Sequence, residues 1–387
     1  MSGKTSLPTV VFINHWAAQL GGAEYSLLDL ISALAGKADV HLFTSENGTL
    51  LDRLAPHAVQ CHVIPSEPSL INVKRDHLIR SLVANIPAVI GFVRFVIRLR
   101  AAVLLLHPDC IHANVPKSHI ALLLLHLSGV RSRSIIHFRE IFRGKSFAGF
   151  LYRILYPLSG RTTTIIAISN AVREALPGTL RNRTEVIYNG VTVAPRPPSR
   201  THTTPPVRFL YIGRIVPWKG CDLLIDAFTH LTARIGPHEG CLSLFGGTSY
   251  WNTGYRTKLM ERIEKNDLSE LVTLHDHIDS PYREYPEHDV LCMPSIDEPF
   301  GRVAAEAQAC ALPVIAFACG GIREIILDKG TGLLVTPGDS MAFSDAMLHF
   351  VRNPADIHTM GYRGRERAAA LFNRETQLPL LLGRILG

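Results

Sequence analysis

The sequence predicts an α/β protein built from two doubly wound, parallel-sheet domains. Three observations carry this. The chain's 387 residues exceed what one hydrophobic core usually organises. Short apolar runs alternate with longer polar or periodic segments from end to end, the order that makes parallel strands covered by crossover helices. The alternation pauses once, at 193–206, where five prolines stand without an apolar period and read as a linker.

The first series of strand-like runs is 10–13, 40–43, 110–112, 134–137 and 164–168. After the first run, the loop Leu20-Gly-Gly-Ala-Glu24 leads into an amphipathic segment at 25–34. The second series is 207–212, 241–245, 272–274, 290–293 and 313–317. After Asn353-Pro354 the chain reads as helical to its end. The expected division is a first domain at 1–192, the linker, a second domain at 207–365 and a terminal helix at 366–387.

Hydrophobic residues make up 47% of the chain and charged ones 19%, which excludes a disordered protein. None of the seven cysteines stands two residues from another, and several fall in strand-like runs. That argues against zinc sites and a disulfide framework and favours a reducing, cytoplasmic setting. The first strand-like run arrives by Val10, with no charged stretch and long apolar run of a secretory signal before it. The net charge of +7 is dispersed, without a compact basic run interleaved with aromatics, so nucleic acid is not the expected partner. An anionic membrane or a diphosphate substrate fits better. Residues 74–100 combine Leu78, Leu82, Val89, Val93 and Ile97 with Lys74, Arg75, Arg80, Arg94, Arg98 and Arg100. Asn85, Pro87 and Arg94 interrupt the segment too often for a span, but it suits the interface of the inner membrane face, peripherally bound. The competing reading is a core helix with snorkelling arginines.

The most informative stretch is Glu298-Pro-Phe-Gly-Arg-Val-Ala-Ala-Glu306, two carboxylates separated by seven residues. Read locally, it is a turn followed by a helix with Pro299 in its first position and Ala304, Ala305, Ala307 and Ala309 favouring its continuation. At about 1.5 Å per residue, Glu306 lies roughly 12 Å beyond Glu298, the span from a sugar to the ribose of a sugar nucleotide. Amides around Phe300 and Gly301 can hold an anion between them. The plainer alternative is that Glu298 complements the helix dipole and Glu306 is a solvated charge.

Two further loops suit phosphate. Arg214 and Lys219, framed by Gly213 and Gly220, can neutralise a diphosphate without a metal; otherwise they are solvated loop cations. Amides at Gly21 and Gly22 precede a helix in the same way, with Gly22 permitting close backbone approach. The first strand is followed by Asn14-His-Trp-Ala-Ala-Gln-Leu20 and not by G-x-G-x-x-G, which counts against a nicotinamide enzyme. The chain has no Asp-x-Asp pair, so no metal site and no metal cofactor are expected. His137 ends a strand-like run and by itself reads as structural among 18 histidines.

These stretches, with Ala167-Ile-Ser-Asn170, Val186-Ile-Tyr-Asn-Gly190, Gln308-Ala-Cys-Ala-Leu-Pro-Val-Ile-Ala316, Gly320-Gly-Ile-Arg-Glu324 and Gly330-Thr-Gly-Leu-Leu334, resemble the retaining glycosyltransferases of family 4, in order, from residue 8 to 365. The resemblance implies the GT-B fold, two Rossmann-like domains facing a cleft, with the last helix returning to the first domain and closure about the linker assembling the site. It further implies catalytic roles for His137, Arg214, Lys219 and Glu298: the two cations on the diphosphate, Glu298 on the donor hexose, and His137 near the reacting sugar. Phe138 stands where the family more often has Asp, which leaves Arg139 and Glu140 as further candidates. Donor binding would fall to Gly21, Gly22, Phe300, Gly301, Arg302, the backbone near Ile278 for the base, and Glu306 for the ribose. Tyr250 and Trp251 offer stacking surfaces in a loop longer than the family's.

The implied reaction is front-face transfer of a hexosyl group from a nucleoside-diphosphate sugar to a glycan or lipid-linked acceptor in cell-surface polysaccharide or glycolipid assembly. A silent nucleotide-sugar-binding scaffold and a sugar-nucleotide epimerase are the alternatives. Keeping Arg214, Lys219, Glu298 and Glu306 together disfavours the first, and no acid/base pair for the second is identifiable.

Overall fold

The computed structural model describes residues 7–18, 20–65, 86–142, 162–194, 205–236, 238–247 and 253–387. Tyr250, Trp251, most of the linker and residues 74–85 lie outside them. The chain forms two compact units, Met1–Tyr188 with Gln377–Gly387, and Asn189–Thr376.

The first unit is a seven-stranded parallel sheet of β1 (Thr9–Ile13), β2 (Asp39–Thr44), β3 (Val59–Val63), β4 (Cys110–Ala113), β5 (Arg133–Phe138), β6 (Thr163–Ala167) and β7 (Thr184–Val186). Its order is β3-β2-β1-β4-β5-β6-β7. Chain order reverses between β1 and β4, where Val10 pairs with Cys110 and Ile13 with Ala113. Ligands of such sheets sit at the carboxyl ends of the strands beside that reversal.

The helix Gly22–Leu34 covers this sheet because Leu27, Leu30, Ile31 and Leu34 recur at helical spacing and are fully buried. They pack with Phe12, Leu42, Ile135 and Ile166, joined by Leu381 and Ile385 of the terminal helix Arg374–Leu386. Each such side chain contributes about 1.5–3 kcal/mol by leaving water. The helix break falls later than the sequence suggests. Residues 366–371 complete the helix Pro354–Leu371, and the turn comes at Phe372, which is fully buried edge-on against Phe300.

The second unit is a six-stranded parallel sheet of β8 (Val207–Ile212), β9 (Gly240–Phe245), β10 (Val272–His275), β11 (Val290–Met293), β12 (Val314–Phe317) and β13 (Gly332–Val335). Its order, β10-β9-β8-β11-β12-β13, is that of dinucleotide-binding sheets, with its reversal between β8 and β11. Leu224, Ile225, Phe228 and Leu231 of the helix Cys221–Thr232 fill its core with Phe209, Leu242, Ile315 and Phe350. Among the described residues no helix is long and apolar enough to cross a membrane.

Candidate functional site

In the second unit the loops after β8, β11 and β12 are tied to one another, and that brings the predicted residues together. Gly220, at φ 72°, caps the 3-10 turn Pro217–Lys219 and opens the next helix. A Cβ there would collide with the Pro294 carbonyl oxygen, so only glycine lets the two loops touch. The Ile296 amide donates to the Trp218 carbonyl at 3.1 Å, and the Gly321 amide donates to the Glu298 carbonyl at 2.9 Å. The Cys319 thiol donates to the Ser295 carbonyl at 3.1 Å.

Held this way, Lys219 Nζ donates to Glu298 Oε2, with side chains 19% and 12% exposed. Two groups predicted to bind different parts of one donor therefore pair with and neutralise each other. Arg214 is exposed, and its guanidinium lies 5.9 Å from the Trp218 ring centre. The ring's negative face restrains that cation at the loop mouth.

The helix predicted to begin at Pro299 begins at Arg302 and runs to Ala309. Gly301 precedes it at φ 99°, a left-handed conformation, and a Cβ there would strike the Ile322 side chain. Phe300 is buried, so residues 298–301 form a loop pinned from below, and the straight helical ruler from Glu298 to Glu306 does not apply. The amides of Arg302 and its neighbours still form that helix's N-terminus, which has no side-chain cap.

Glu306 is not a solvated surface charge. It is 4% exposed, with Oε1 accepting from Arg302 Nε at 2.7 Å and Oε2 accepting from the Tyr285 hydroxyl at 3.1 Å. Tyr285 is fully buried in a 3-10 turn before β11, and burial together with the Glu306 carboxylate drives its phenol well above its ordinary range. The phenol therefore stays a donor, and the carboxylate is fixed with acceptor sites to spare. Sequence reasoning missed Tyr285, since a lone Tyr in a loop carries no motif. Ile278 is half-buried in the loop after β10, two strands across the sheet from β8. No hydrogen bond joins it to the Lys219–Glu298 pair among the described residues.

In the first unit Gly21 caps the helix Gly22–Leu34, and its amide donates to Glu24 Oε2 at 3.0 Å. The Gly21 amide is thus paired with a carboxylate of its own helix, while no described atom comes within 4 Å of a Cβ placed on Gly22.

His137 is 2% exposed on β5. Its Nδ1 lies 3.3 Å from Arg139 Nη2 and 3.3 Å from His112 Nε2, and its carbonyl accepts from His119 Nε2 at 3.1 Å. A guanidinium only donates, so Nδ1 must accept and the ring proton sits on Nε2, a buried nitrogen with no partner among the described residues. Burial and then Arg139 hold this imidazole well below its usual pKa. Arg139 Nε also donates to Asn114 Oδ1 at 2.5 Å, and Asn114 Nδ2 donates to Asn14 Oδ1 at 3.1 Å. A hydrogen-bonded chain thus joins β5 to the ends of β4 and β1 at the sheet's reversal. Arg139 belongs to it, and Glu140, one residue on, is half-buried.

Among the described residues no group of three or more His, Cys, Asp or Glu side chains is placed to hold a metal.

Residues 197–367 match the family described as glycosyl transferases group 1, and residues 20–194 match glycosyltransferase family 4. A D-inositol 3-phosphate glycosyltransferase of Kineococcus radiotolerans is 35% identical over 173 residues, 41% of this chain and 39% of that protein. An uncharacterised glycosyltransferase of Methanocaldococcus jannaschii is 31% identical over 207 residues, 52% of this chain and 53% of that protein. The chain thus spans about a third to a half of the length of the curated relatives it matches. Among solved structures, Anabaena HepE in complex with UDP superposes with a TM-score of 0.78 at 22% identity, covering 97% of this chain and 98% of that one. Sucrose-phosphate synthase of Thermosynechococcus elongatus does so at 0.75 and 24%, with the same coverage. These likenesses establish the GT-B type of fold.

Proposed function

The chain belongs to the group 1 glycosyl transferases of family 4, and from that membership we propose that it is a retaining hexosyltransferase using a nucleoside-diphosphate sugar. The acceptor is a glycan or a lipid-linked acceptor in cell-surface polysaccharide or glycolipid assembly, and the protein works in the cytoplasm at the inner membrane face, held peripherally through the 74–100 region. The carrying observation is the second unit's sheet reversal, where Lys219 meets Glu298 and where Tyr285 and Arg302 fix Glu306. Anabaena HepE, solved with UDP and with UDP-glucose, supports a nucleotide-sugar donor for this fold.

In this reading the diphosphate draws Lys219 from Glu298 and engages Arg214, which Trp218 restrains. Glu298, released, accepts from hexose hydroxyls beside the amides of Phe300, Gly301 and Arg302, while the free acceptor sites of Glu306 take the ribose hydroxyls. Backbone near Ile278 contacts the base, and Gly22 allows a phosphate to approach the first unit's helix. His137 offers its Nε2 proton as a neutral hydrogen-bond donor to a sugar hydroxyl; its depressed pKa makes it a poor proton shuttle. The bond from the anomeric carbon to the leaving phosphate breaks as the acceptor oxygen arrives on the same face, and the acceptor proton passes to that phosphate. Arg214 and Lys219 stabilise the departing charge without a metal.

The test is the configuration of the first sugar released or transferred when the protein turns over UDP-glucose, followed by proton NMR before mutarotation. An α-configured product from the α-linked donor is expected; a β product refutes the retaining mechanism.

A further inference from the structure

The helix Ile86–Leu106 packs on the first unit through one side only. Phe95, Val96, Leu99 and Val103 are 9% exposed or less. On the other side Ile90, Val93, Ile97, Leu104 and Leu105 are 45%, 48%, 61%, 38% and 83% exposed. Ile90, Ile97 and Leu104 stand seven residues apart and so form a single stripe. Arg94 and Arg98 are exposed along one flank of it, and the helix contains no Asp or Glu.

We infer that this outward face docks on an anionic lipid bilayer, its aliphatic stripe among the acyl chains and Arg94 and Arg98 at the headgroups. The inference rests on the peripheral-membrane reading above and gives it a surface. Charge decides the occupant. An apolar stripe flanked by uncompensated arginines suits a surface of negative charge. A second copy of the helix suits it poorly, because paired stripes would bring like charges together. A coiled-coil seam through Ile97 would also place an arginine on the seam in either heptad register, Arg100 in one and Arg94 in the other. Arg100 belongs to the body of the unit: its Nε and Nη2 donate to the Ser128 carbonyl at 3.2 and 3.0 Å, at the end of the neighbouring helix Pro116–Leu127. It is therefore removed from the headgroup set that the sequence suggested. Spanning is excluded because the opposite side of the same helix is part of the core.

The experiment is vesicle flotation of the full chain with phosphatidylcholine alone and with 30% phosphatidylglycerol, at low and high salt. Wild type should float with the anionic vesicles and not with the neutral ones, and should do so less at high salt. Ile97→Asp and, separately, Leu105→Asp should lower partitioning at least about tenfold, and the Arg94→Gln/Arg98→Gln pair should abolish the preference for anionic lipid. Melting temperature and UDP titration are read on the same samples. Leu105 is so exposed that its replacement leaves folding intact, which keeps the test valid if the Ile97 variant is unstable. Wild type that ignores anionic vesicles, or aspartate variants that float like wild type, overturns the docking face while leaving glycosyl transfer standing. A concentration-dependent dimer that Ile97→Asp converts to monomer, without vesicle binding, assigns the face to self-association and also overturns it. Loss of UDP binding in wild type instead refutes the donor-site reading without touching the docking result.

Discussion

The Tyr285 hydroxyl donates to the Glu306 carboxylate at 3.1 Å, and both residues are buried, at 0% and 4% exposure. A buried carboxylate held by a phenol on one oxygen and a guanidinium on the other has its orientation fixed before any ligand arrives. Tyr285→Phe leaves the shape and removes one hydrogen bond to a charged group, a loss of about 1.5–3 kcal/mol. It should weaken UDP binding about tenfold while binding of a 2′,3′-dideoxy nucleotide hardly changes. An equal loss for both nucleotides would mean that Tyr285 serves folding alone.

Lys219 and Glu298 form a partly buried pair, so removing either one strands the other charge. Lys219→Ala and Glu298→Ala should each lower thermal stability without ligand, and the double variant should recover part of the loss. A coupling above about 1 kcal/mol is expected in the mutant cycle. Lys219→Ala should also lower kcat at least about 100-fold, because the developing diphosphate charge loses a donor. Additive stabilities would show the pair to be incidental.

Gly301 adopts φ 99°, and a Cβ would meet the Ile322 side chain. Gly301→Ala therefore adds backbone strain and a clash at the start of the helix that carries Arg302 and Glu306, costing about 1–3 kcal/mol. Denaturant unfolding should show that loss, and UDP affinity should fall with it. Unchanged stability would mean the loop adapts freely.

The pH dependence follows from His15, which burial, and then Lys117, bring down to about 3. Neither ring nitrogen has a partner among the described residues. Between pH 6.5 and about 3 the unfolded chain binds a proton at this site that the folded chain does not. Stability from the neutral ring is thus complete above pH 6.5 and is lost as pH falls toward 3, by up to about 1.4 kcal/mol per pH unit. His15→Phe keeps an aromatic ring, which faces Phe95 edge-on in the wild type. It should be near neutral at pH 7.5 and more stable than wild type at pH 5. Parallel pH curves for the two proteins would refute this.

Most of the architecture was legible because buried parallel strands read as uninterrupted apolar runs. The runs at 10–13, 207–212 and 290–293 lie within β1, β8 and β11. The omissions are edge strands. Residues Gln60 and Cys61 of β3 are exposed, β7 is short and begins Thr-Glu, and β13 opens on glycine, so none carries a continuous apolar signal. The site was legible where residues are close in sequence, as in Gly213 to Gly220 and Glu298 to Glu306. What escaped depends on contacts between distant segments or on left-handed backbone: the Tyr285 hydroxyl on Glu306, the Lys219–Glu298 pairing, and the delay of the helix start from Pro299 to Arg302 by the turn at Gly301.

Calorimetric titration of the purified chain and its Glu306→Ala variant with UDP, GDP and ADP, without metal and then with magnesium, tests the nucleotide-sugar site most directly. One nucleotide should bind without metal, and the variant should lose this binding. Equal binding by wild type and variant, or no binding of any nucleotide, contradicts it.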